Sequence, residues 1–309
     1  MAIDNSFIEF LKTCAQQPDL SEFTPVQNRE RFKANTNVVY SEALARIKTE
    51  DKEIKANDHA IPIRHYYLSE KKAPCLIWFH GGGFVMGSIA GYDLICRKIA
   101  NAANISVISV DYRLAPEHKF PAAIEDAYMV VHEVIQNAEL FNVDKNNIYV
   151  GGASVGATLA TVTCLIMRDQ GHTGTIKHQL LMMPVINDDF STHSYQLYGE
   201  NYFLTKKSMQ YFMNHYINNE SDLLNPYCLP GKAKNLQSLP PAMIVTAECD
   251  PLRDAGEQYA TRLKNEGNQV DYYNYPGLFH GFTSMIPSNA FAEKSFDKII
   301  TDFARVIIK

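Results

Sequence analysis

Short apolar runs alternate along the chain with segments in which apolar residues recur every three or four positions. The runs are rich in β-branched and aliphatic residues, and their length suits strands that are buried on both faces. They predict strands at 75–79, 105–110, 148–150, 180–185 and 243–246. The intervening pattern predicts helices at 126–136, 156–168, 254–265 and 290–308.

Alternation of strand and helix is typical of a parallel sheet with helices packed on its faces. We therefore predict an α/β fold whose ligands bind beyond the carboxyl ends of the strands. Residues 60–68 alternate more loosely and include Pro62, which favours an antiparallel edge strand that leads into the sheet. Residues 270–275 also alternate and predict a further strand.

Two stretches do not fit this alternation, at about 1–35 and 188–229. Connections of this length are usually functional lids or insertions. The second stretch is crowded with phenylalanine and tyrosine. We predict that both stretches form a cap over a pocket, on a single domain that spans residues 1–309.

The composition and the net charge mainly exclude classes of protein. The 309 residues are 46% hydrophobic and 20% charged, as in an ordinary globular protein. A net charge of −5 with scattered lysine and arginine indicates no nucleic-acid partner and no acidic membrane surface. We expect a cytoplasmic location for three reasons. The six cysteines are well separated and form no C-x-x-C pair, and the start of the sequence is not signal-like. No apolar stretch comes near the ~20 residues that cross a bilayer.

The segment from Gly152 to Gly156 reads Gly-Ala-Ser-Val-Gly, which matches G-x-S-x-G. It follows a predicted strand and precedes a predicted helix, the context in which a serine lies on a tight turn above a sheet. Small neighbours are needed there because the backbone is strained and other chain segments approach closely. We therefore predict Ser154 as a nucleophile; without its context the pattern would fit a Gly-rich turn.

A serine nucleophile needs a base, and the base needs a group that fixes its tautomer. In the chain order that accompanies this motif, the acid follows the serine and the histidine follows the acid. Of the ten histidines, only His280 lies after the next strand and its acid. Asp250 is our choice of acid, since Pro251 keeps it extended on a loop before a helix. Glu248 is the weaker alternative because it lies closer to the strand.

Three glycines at 81–83 directly follow the first predicted strand. Because they have no Cβ, their amides can turn toward a developing oxyanion. We predict Gly81 and Gly82 as oxyanion donors, with Val155 as the third. The preceding His80 is predicted to brace the loop. A phosphate cradle is disfavoured because no G-x-x-x-x-G-K-[ST] or G-x-G-x-x-G follows a strand, and without H-E-x-x-H we expect neither metal nor cofactor.

Together these motifs resemble the hormone-sensitive-lipase-like branch of the α/β-hydrolases, which contains bacterial acetyl esterases and carboxylesterases. The resemblance spans about residues 60–300 and rests on four motifs, at 80–84, 112–118, 152–156, and 250–254 with 280–282. It implies an α/β-hydrolase fold with a helical cap, and a loop at 112–118 whose Arg113 and Glu117 brace the site. Such enzymes usually read G-D-S-A-G-G around the nucleophile, whereas this chain has Ala153, Val155 and Ala157. These departures are expected to affect rate and substrate preference more than mechanism.

The resulting hypothesis is a serine carboxylesterase that hydrolyses short-chain acyl esters through an acyl-enzyme. An amidase or peptidase on the same three residues is an alternative. A receptor that only binds a small ligand is disfavoured, because such receptors lose the histidine that this chain retains as His280. The expected partner is a small-molecule ester, and the branch includes both monomers and homodimers.

Overall fold

The computed structural model describes residues 3–33, 40–56 and 58–307, and an eight-stranded sheet forms the centre of these residues. In chain order the strands are β1 Lys48–Lys55, β2 Ala60–Tyr67, β3 Ala73–Phe79, β4 Ser106–Val110, β5 Val143–Ala153, β6 Ile176–Met182, β7 Ala242–Cys249 and β8 Val270–Phe279. Their spatial order is β1-β2-β4-β3-β5-β6-β7-β8. β2 is antiparallel to both β1 and β4, and the other pairings are parallel. The predicted α/β fold with a mostly parallel sheet is confirmed.

The described residues also contain ten α-helices. They are α1 Ile8–Ala15, α2 Pro25–Lys33, α3 Glu42–Ala45, α4 Asp93–Ala103, α5 Ala122–Gln136, α6 Val155–Asp169, α7 His193–Tyr198, α8 Lys206–Tyr216, α9 Arg253–Asn265 and α10 Ala290–Ile307. Each of the four predicted helices corresponds to one of these, and Ile308, the predicted end of the last, lies outside the described residues. No helix in the described ranges combines the length and apolarity that a bilayer crossing requires.

Alternating side chains along each central strand divide the core into two layers. In β3, Ile77 and Phe79 belong to the layer packed by α5, α6 and α9. Leu76 and Trp78 belong to the opposite layer, packed by α4 and α10. All four side chains are fully buried, and each such burial contributes about 1.5–3 kcal/mol. Burial on both faces explains why these strands are continuous apolar runs in the sequence.

The position of β2 corrects the prediction for residues 60–68. The strand is antiparallel as expected, but β1 pairs along its outer side and is itself the edge strand. Pro62 is tolerated inside the sheet because its carbonyl accepts from the amide of Asp111 at 2.9 Å, just past the end of β4. In an antiparallel strand the N and C=O of one residue face the same neighbour, so the missing Pro62 N–H falls where β4 has ended.

The strand predicted at 180–185 begins and ends earlier in the structure. β6 covers Ile176–Met182, and the chain turns at Met183, whose φ is 47°. Pro184 cannot donate to a ladder, so it ends the pairing. Val185 and Ile186 remain buried although they lie in a loop, which is why the apolar run continues beyond the strand.

Helices also border the carboxyl ends of the parallel strands. α1 and α2 come from residues 3–33, which we call the N-terminal segment, and α7 and α8 come from residues 188–229, which we call the inserted segment. Phe10 of α1 and Phe203 of the inserted segment bring their rings to 5.9 Å from each other, so the two segments meet. The remaining residues of the predicted cap, namely 1, 2, 34 and 35, lie outside the described residues.

Candidate active site

Ser154 lies on the tight turn between β5 and α6. Its backbone has φ 57° and ψ −123°, a region that side-chain-bearing residues rarely adopt. The Ser154 amide donates to the Met182 carbonyl at 2.8 Å, which ties the turn to the neighbouring strand. The side chain is partly exposed. The turn therefore presents its hydroxyl above the carboxyl edge of the sheet.

The glycines around Ser154 are required by close backbone contacts. A Cβ on Gly156 would lie 2.0 Å from the Phe79 carbonyl oxygen, and a Cβ on Gly152 would lie 2.3 Å from the Gly156 carbonyl carbon. Neither backbone contact can be relieved by a side-chain rotation. The two outer glycines of the motif therefore let the turn pack against the end of β3.

His280 follows β8 and bridges Ser154 and Asp250. Its Nε2 lies 3.0 Å from Ser154 Oγ, and its Nδ1 lies 2.8 Å from Asp250 Oδ2. Asp250 is fully buried and His280 is 7% exposed. The other Asp250 oxygen, Oδ1, accepts from the Leu252 amide at 2.8 Å, which fixes the carboxylate on its loop. The structure thus brings together the three residues that the motif and the chain order single out.

These contacts determine the roles of the two imidazole nitrogens. A carboxylate only accepts hydrogen bonds, so Nδ1 carries the proton that it donates to Asp250. Nε2 is then the acceptor for the Ser154 hydroxyl. In this tautomer His280 can take the proton of Ser154 when the hydroxyl attacks an electrophile.

Glu248, the weaker candidate for the acid, lies elsewhere. Its Oε2 accepts from the Gly277 amide at 2.8 Å, at the irregularity in the pairing of β7 with β8. Asp254 accepts from the Ser194 amide at 2.7 Å and so joins α9 to α7. Among these three carboxylates, the structure places Asp250 against the imidazole.

The glycine loop lies next to Ser154. Gly82 has φ 120°, and a Cβ there would lie 2.1 Å from the Met86 carbonyl oxygen. No described residue accepts a hydrogen bond from the amides of Gly82 or Val155. Val155 is also the first residue of α6, where the helix dipole places positive partial charge. Both amides are therefore available to a negatively charged oxygen at this end of the sheet.

His80 is buried beneath the glycine loop and contacts both the loop and Tyr112. Burial lowers the pKa of His80, and its Nδ1 lies 2.8 Å from the Gly81 carbonyl oxygen, to which it donates. The ring stacks on Tyr112 at 4.3 Å, and the Tyr112 hydroxyl donates to the His80 carbonyl at 2.8 Å. These contacts agree with a bracing role rather than with a role as the base.

Tyr92 is a neighbour of the loop that the sequence did not indicate. Its hydroxyl oxygen is 2.6 Å from the position that a Cβ on Gly81 would occupy. Burial raises the pKa of Tyr92 to about 12, and the nearby Gly81 backbone acts in the opposite direction. The Tyr92 hydroxyl therefore lies against Gly81, while the Gly81 amide, like those of Gly82 and Val155, has no acceptor within hydrogen-bond distance among the described residues.

Two aromatic rings of the inserted segment lie against glycines, one in the glycine loop and one directly after His280. A Cβ on Gly83 would lie 2.2 Å from the ring of Phe212, and a Cβ on Gly281 would lie 2.4 Å from the ring of Phe203. Phe203 also packs edge-on against Phe279 at 5.7 Å and is 42% exposed. Aromatic side chains of the inserted segment therefore lie against the glycine loop and against the residue that follows His280.

The loop at 112–118 is held by two arginines. Arg113 binds the buried Asp126 through its backbone amide at 2.8 Å and through its guanidinium. Glu117 is bound by Arg29 of α2, with contacts of 2.8 and 2.6 Å. The sequence indicated the bracing pair in the loop but gave no sign of Arg29, because 88 residues separate it from Glu117.

The pairing with Arg29 predicts a pH dependence of stability. The Arg29 guanidinium holds the pKa of Glu117 at about 2, below the ~4.3 expected in an unfolded chain. A lowered folded-state pKa stabilises the fold above the unfolded value, and this contribution is lost as pH falls toward 2. We expect Glu117→Gln to lower the free energy of unfolding by about 0.5–1 kcal/mol at pH 7, since half of the side chain is exposed.

Urea unfolding of the wild type and Glu117→Gln between pH 7 and pH 3 measures this difference, which should shrink steadily below about pH 4. Glu125→Gln is the matched control, because Glu125 makes one 3.3 Å contact with Arg113 and is 62% exposed. A difference that stays constant down to pH 3 would contradict the prediction.

Comparisons with known proteins agree with this geometry. A family model described as the alpha/beta hydrolase fold matches residues 76–284, so the chain belongs to the α/β-hydrolase fold family. An arylesterase of Saccharolobus solfataricus is 36% identical over 287 residues, which cover 91% of this chain and 92% of that protein. An ethyl acetate hydrolase of Pseudomonas putida is 33% identical, with 74% of this chain and 73% of that protein covered.

Solved structures give the same result. The hyperthermophilic esterase from the archaeon Pyrobaculum calidifontis superposes with a TM-score of 0.91 at 35% identity, and the match covers 100% of both chains. Together with the curated esterases, this likeness makes the chain a carboxylic ester hydrolase.

Proposed function

We propose that the chain hydrolyses short-chain acyl esters by two-step acyl transfer, with Ser154 as nucleophile, His280 as general base and acid, and Asp250 as the group that orients the imidazole. The observation that carries this proposal is the hydrogen-bonded chain from Ser154 Oγ through both nitrogens of His280 to Asp250. A free serine hydroxyl is a weak nucleophile, and this contact supplies the base that it needs.

In the first step Ser154 Oγ attacks the ester carbonyl carbon while its proton moves to His280 Nε2. The tetrahedral intermediate collapses as the C–O bond to the alcohol breaks and His280 gives that proton to the leaving oxygen. In the second step water attacks the acyl-serine, loses a proton to His280, and the carboxylic acid is released as Ser154 regains its proton. Asp250 stabilises the imidazolium in both steps without taking the proton itself.

We propose Gly81, Gly82 and Val155 as the donors to the oxyanion. The support is that none of these three amides makes a hydrogen bond to a described residue, so each is available to a negatively charged oxygen. Donors of this kind are each worth about 2.7–4 kcal/mol of transition-state stabilisation.

The preference for short acyl chains is proposed from the aromatic boundary of the site. We propose that the N-terminal and inserted segments act as a cap, whose Phe203 and Phe212 lie directly against the glycines beside His280 and in the glycine loop. Rings in these positions leave room for a small acyl group and obstruct a long one. The substrate is therefore a small ester rather than a triglyceride emulsion.

A chain-length series of p-nitrophenyl esters from acetate to decanoate tests this function. We expect kcat/KM to be highest for acetate or butyrate, and Phe203→Ala to raise the ratio of octanoate to acetate activity about tenfold, since removing the ring opens space worth several methylene groups. Leu197→Ala is the matched control, because Leu197 lies on α7 of the same segment and is similarly exposed, at 47%. Better hydrolysis of long-chain emulsions by the wild type, or of p-nitroanilides than of esters, would overturn the proposal in favour of a lipase or an amidase.

A further inference from the structure

Arg29 joins the N-terminal segment to the loops around the site through four hydrogen bonds. Its Nε donates to the Val85 carbonyl at 2.7 Å, and one terminal nitrogen donates to the Ala115 carbonyl at 2.7 Å. The guanidinium also holds both oxygens of Glu117. Its side chain is only 22% exposed. An arginine that is mostly buried and bonded through both edges of its guanidinium is fixed in one geometry.

Val85 belongs to the turn that orients Gly82. The amides of Val85 and Met86 donate to the Gly82 carbonyl at 3.1 and 2.9 Å. Because Arg29 holds the carbonyl of Val85, it fixes the far side of this turn. The amide proposed to meet the oxyanion lies at the near side of the same turn.

Ala115 connects Arg29 to the loop by a second route. The Ala115 amide donates to the Phe84 carbonyl at 2.8 Å, while the Ala115 carbonyl accepts from Arg29. The segment from Gly82 to Val85 is therefore held from two directions by groups that Arg29 binds. A loop with three successive glycines loses more conformational entropy on ordering than other loops, so it needs such external contacts to keep its amides aimed.

We propose that Arg29 is a positioning residue for the glycine loop, acting through Val85 and Ala115 on the amide of Gly82. The N-terminal segment is then part of the machinery that stabilises the transition state, in addition to covering the site. This inference rests on the proposed ester hydrolysis at Ser154 and adds a residue from outside the motifs to it.

The test is Arg29→Met in the full chain, assayed with p-nitrophenyl butyrate. A loop displaced by about 1 Å should lower kcat by about 10- to 100-fold and leave KM within about threefold, because the donor acts mainly in the transition state. The affinity for an aryl trifluoromethyl ketone, whose serine adduct carries an oxyanion, should fall by a similar factor. Arg31→Met is the matched control, since Arg31 lies on the same helix and stacks on Phe23 at 4.0 Å, away from the loop.

A purely structural role would lower the melting temperature of Arg29→Met but leave kcat and ketone affinity unchanged while the protein is folded. Values of kcat within about twofold of wild type in the folded variant, or a rise in KM alone, would overturn the inference. If Arg29→Met does not fold, Arg29→Lys decides, because one ammonium can reach only part of the carbonyl set and should give a smaller fall in the same direction.

Glu117→Gln separates the carboxylate from the carbonyl contacts. It leaves the guanidinium free to hold Val85 and Ala115, so we expect kcat to stay within about threefold of wild type. A loss of kcat as large as that of Arg29→Met would overturn the route through the carbonyls.

Wild type and Ser154→Ala are assayed alongside. Ester hydrolysis by the first and not by the second keeps the proposed function intact whatever Arg29 does, whereas an inactive wild type would refute both proposals.

Discussion

Ser154→Ala is expected to lower kcat for a short p-nitrophenyl ester by roughly a millionfold, because no other group can form the acyl-enzyme. Stability should change little. The substitution removes one partly exposed hydroxyl, retains the Cβ, and leaves the hydrogen bond from the residue 154 amide to the Met182 carbonyl. Steady-state kinetics and mass spectrometry after a fluorophosphonate are the measurements, and the adduct should form on the wild type and not on the variant.

Ser288→Ala serves as the control, since Ser288 is an exposed serine whose hydroxyl has a single 3.4 Å contact with the Met285 carbonyl. It should retain full activity and full labelling. Labelling of the Ser154 variant at another serine, together with retained turnover, would refute the assignment of the nucleophile.

Asp250→Asn is expected to lower kcat by about 10⁴-fold while leaving KM close to that of the wild type. The amide oxygen can still accept from the Leu252 amide, but an NH₂ in place of Oδ2 would face the imidazole. It would stabilise the tautomer with the proton on Nε2, which cannot accept the proton of Ser154. The pH dependence of kcat and the rate of the p-nitrophenol burst in pre-steady-state experiments would show that the loss lies in the chemical step.

Glu248→Gln is the matched control for this variant. Glu248 is also buried, at 7% exposure, and lies at the end of the same strand, but its Oε2 accepts from the Gly277 amide. A loss of activity in Glu248→Gln comparable to that in Asp250→Asn would show that the acid had been assigned to the wrong residue.

The parallel part of the fold could be predicted because it is buried on both faces. β3, β5 and β7 combine aliphatic runs with turn residues at their ends, and this pattern has few other interpretations. β1 could not be found in this way. Its sequence is Lys-Thr-Glu-Asp-Lys-Glu-Ile-Lys, and six of its eight side chains are exposed, so only pairing with β2 makes it a strand.

The proposed reacting groups could be identified from the sequence because each is tied to a local signal. Ser154 has glycines at fixed offsets, Asp250 precedes a proline at a strand end, and His280 follows the last strand. Arg29 and Tyr92 have no such signal. Arg29 reaches Val85 only when a helix distant in the chain packs against the glycine loop, and Tyr92 reaches Gly81 only when the chain after this loop folds back on it.

The order of the elements also determines when activity can arise during synthesis. Ser154, the proposed nucleophile, lies on the turn after a central strand, whereas His280, its proposed base, follows the outermost strand, 126 residues further along the chain. A ribosome-bound chain therefore carries the serine turn and the glycine loop long before the His280 imidazole can reach them. Under the proposed assignment, hydrolytic competence is acquired only when the edge of the sheet is completed, so an unfinished chain is expected not to cleave the esters it meets.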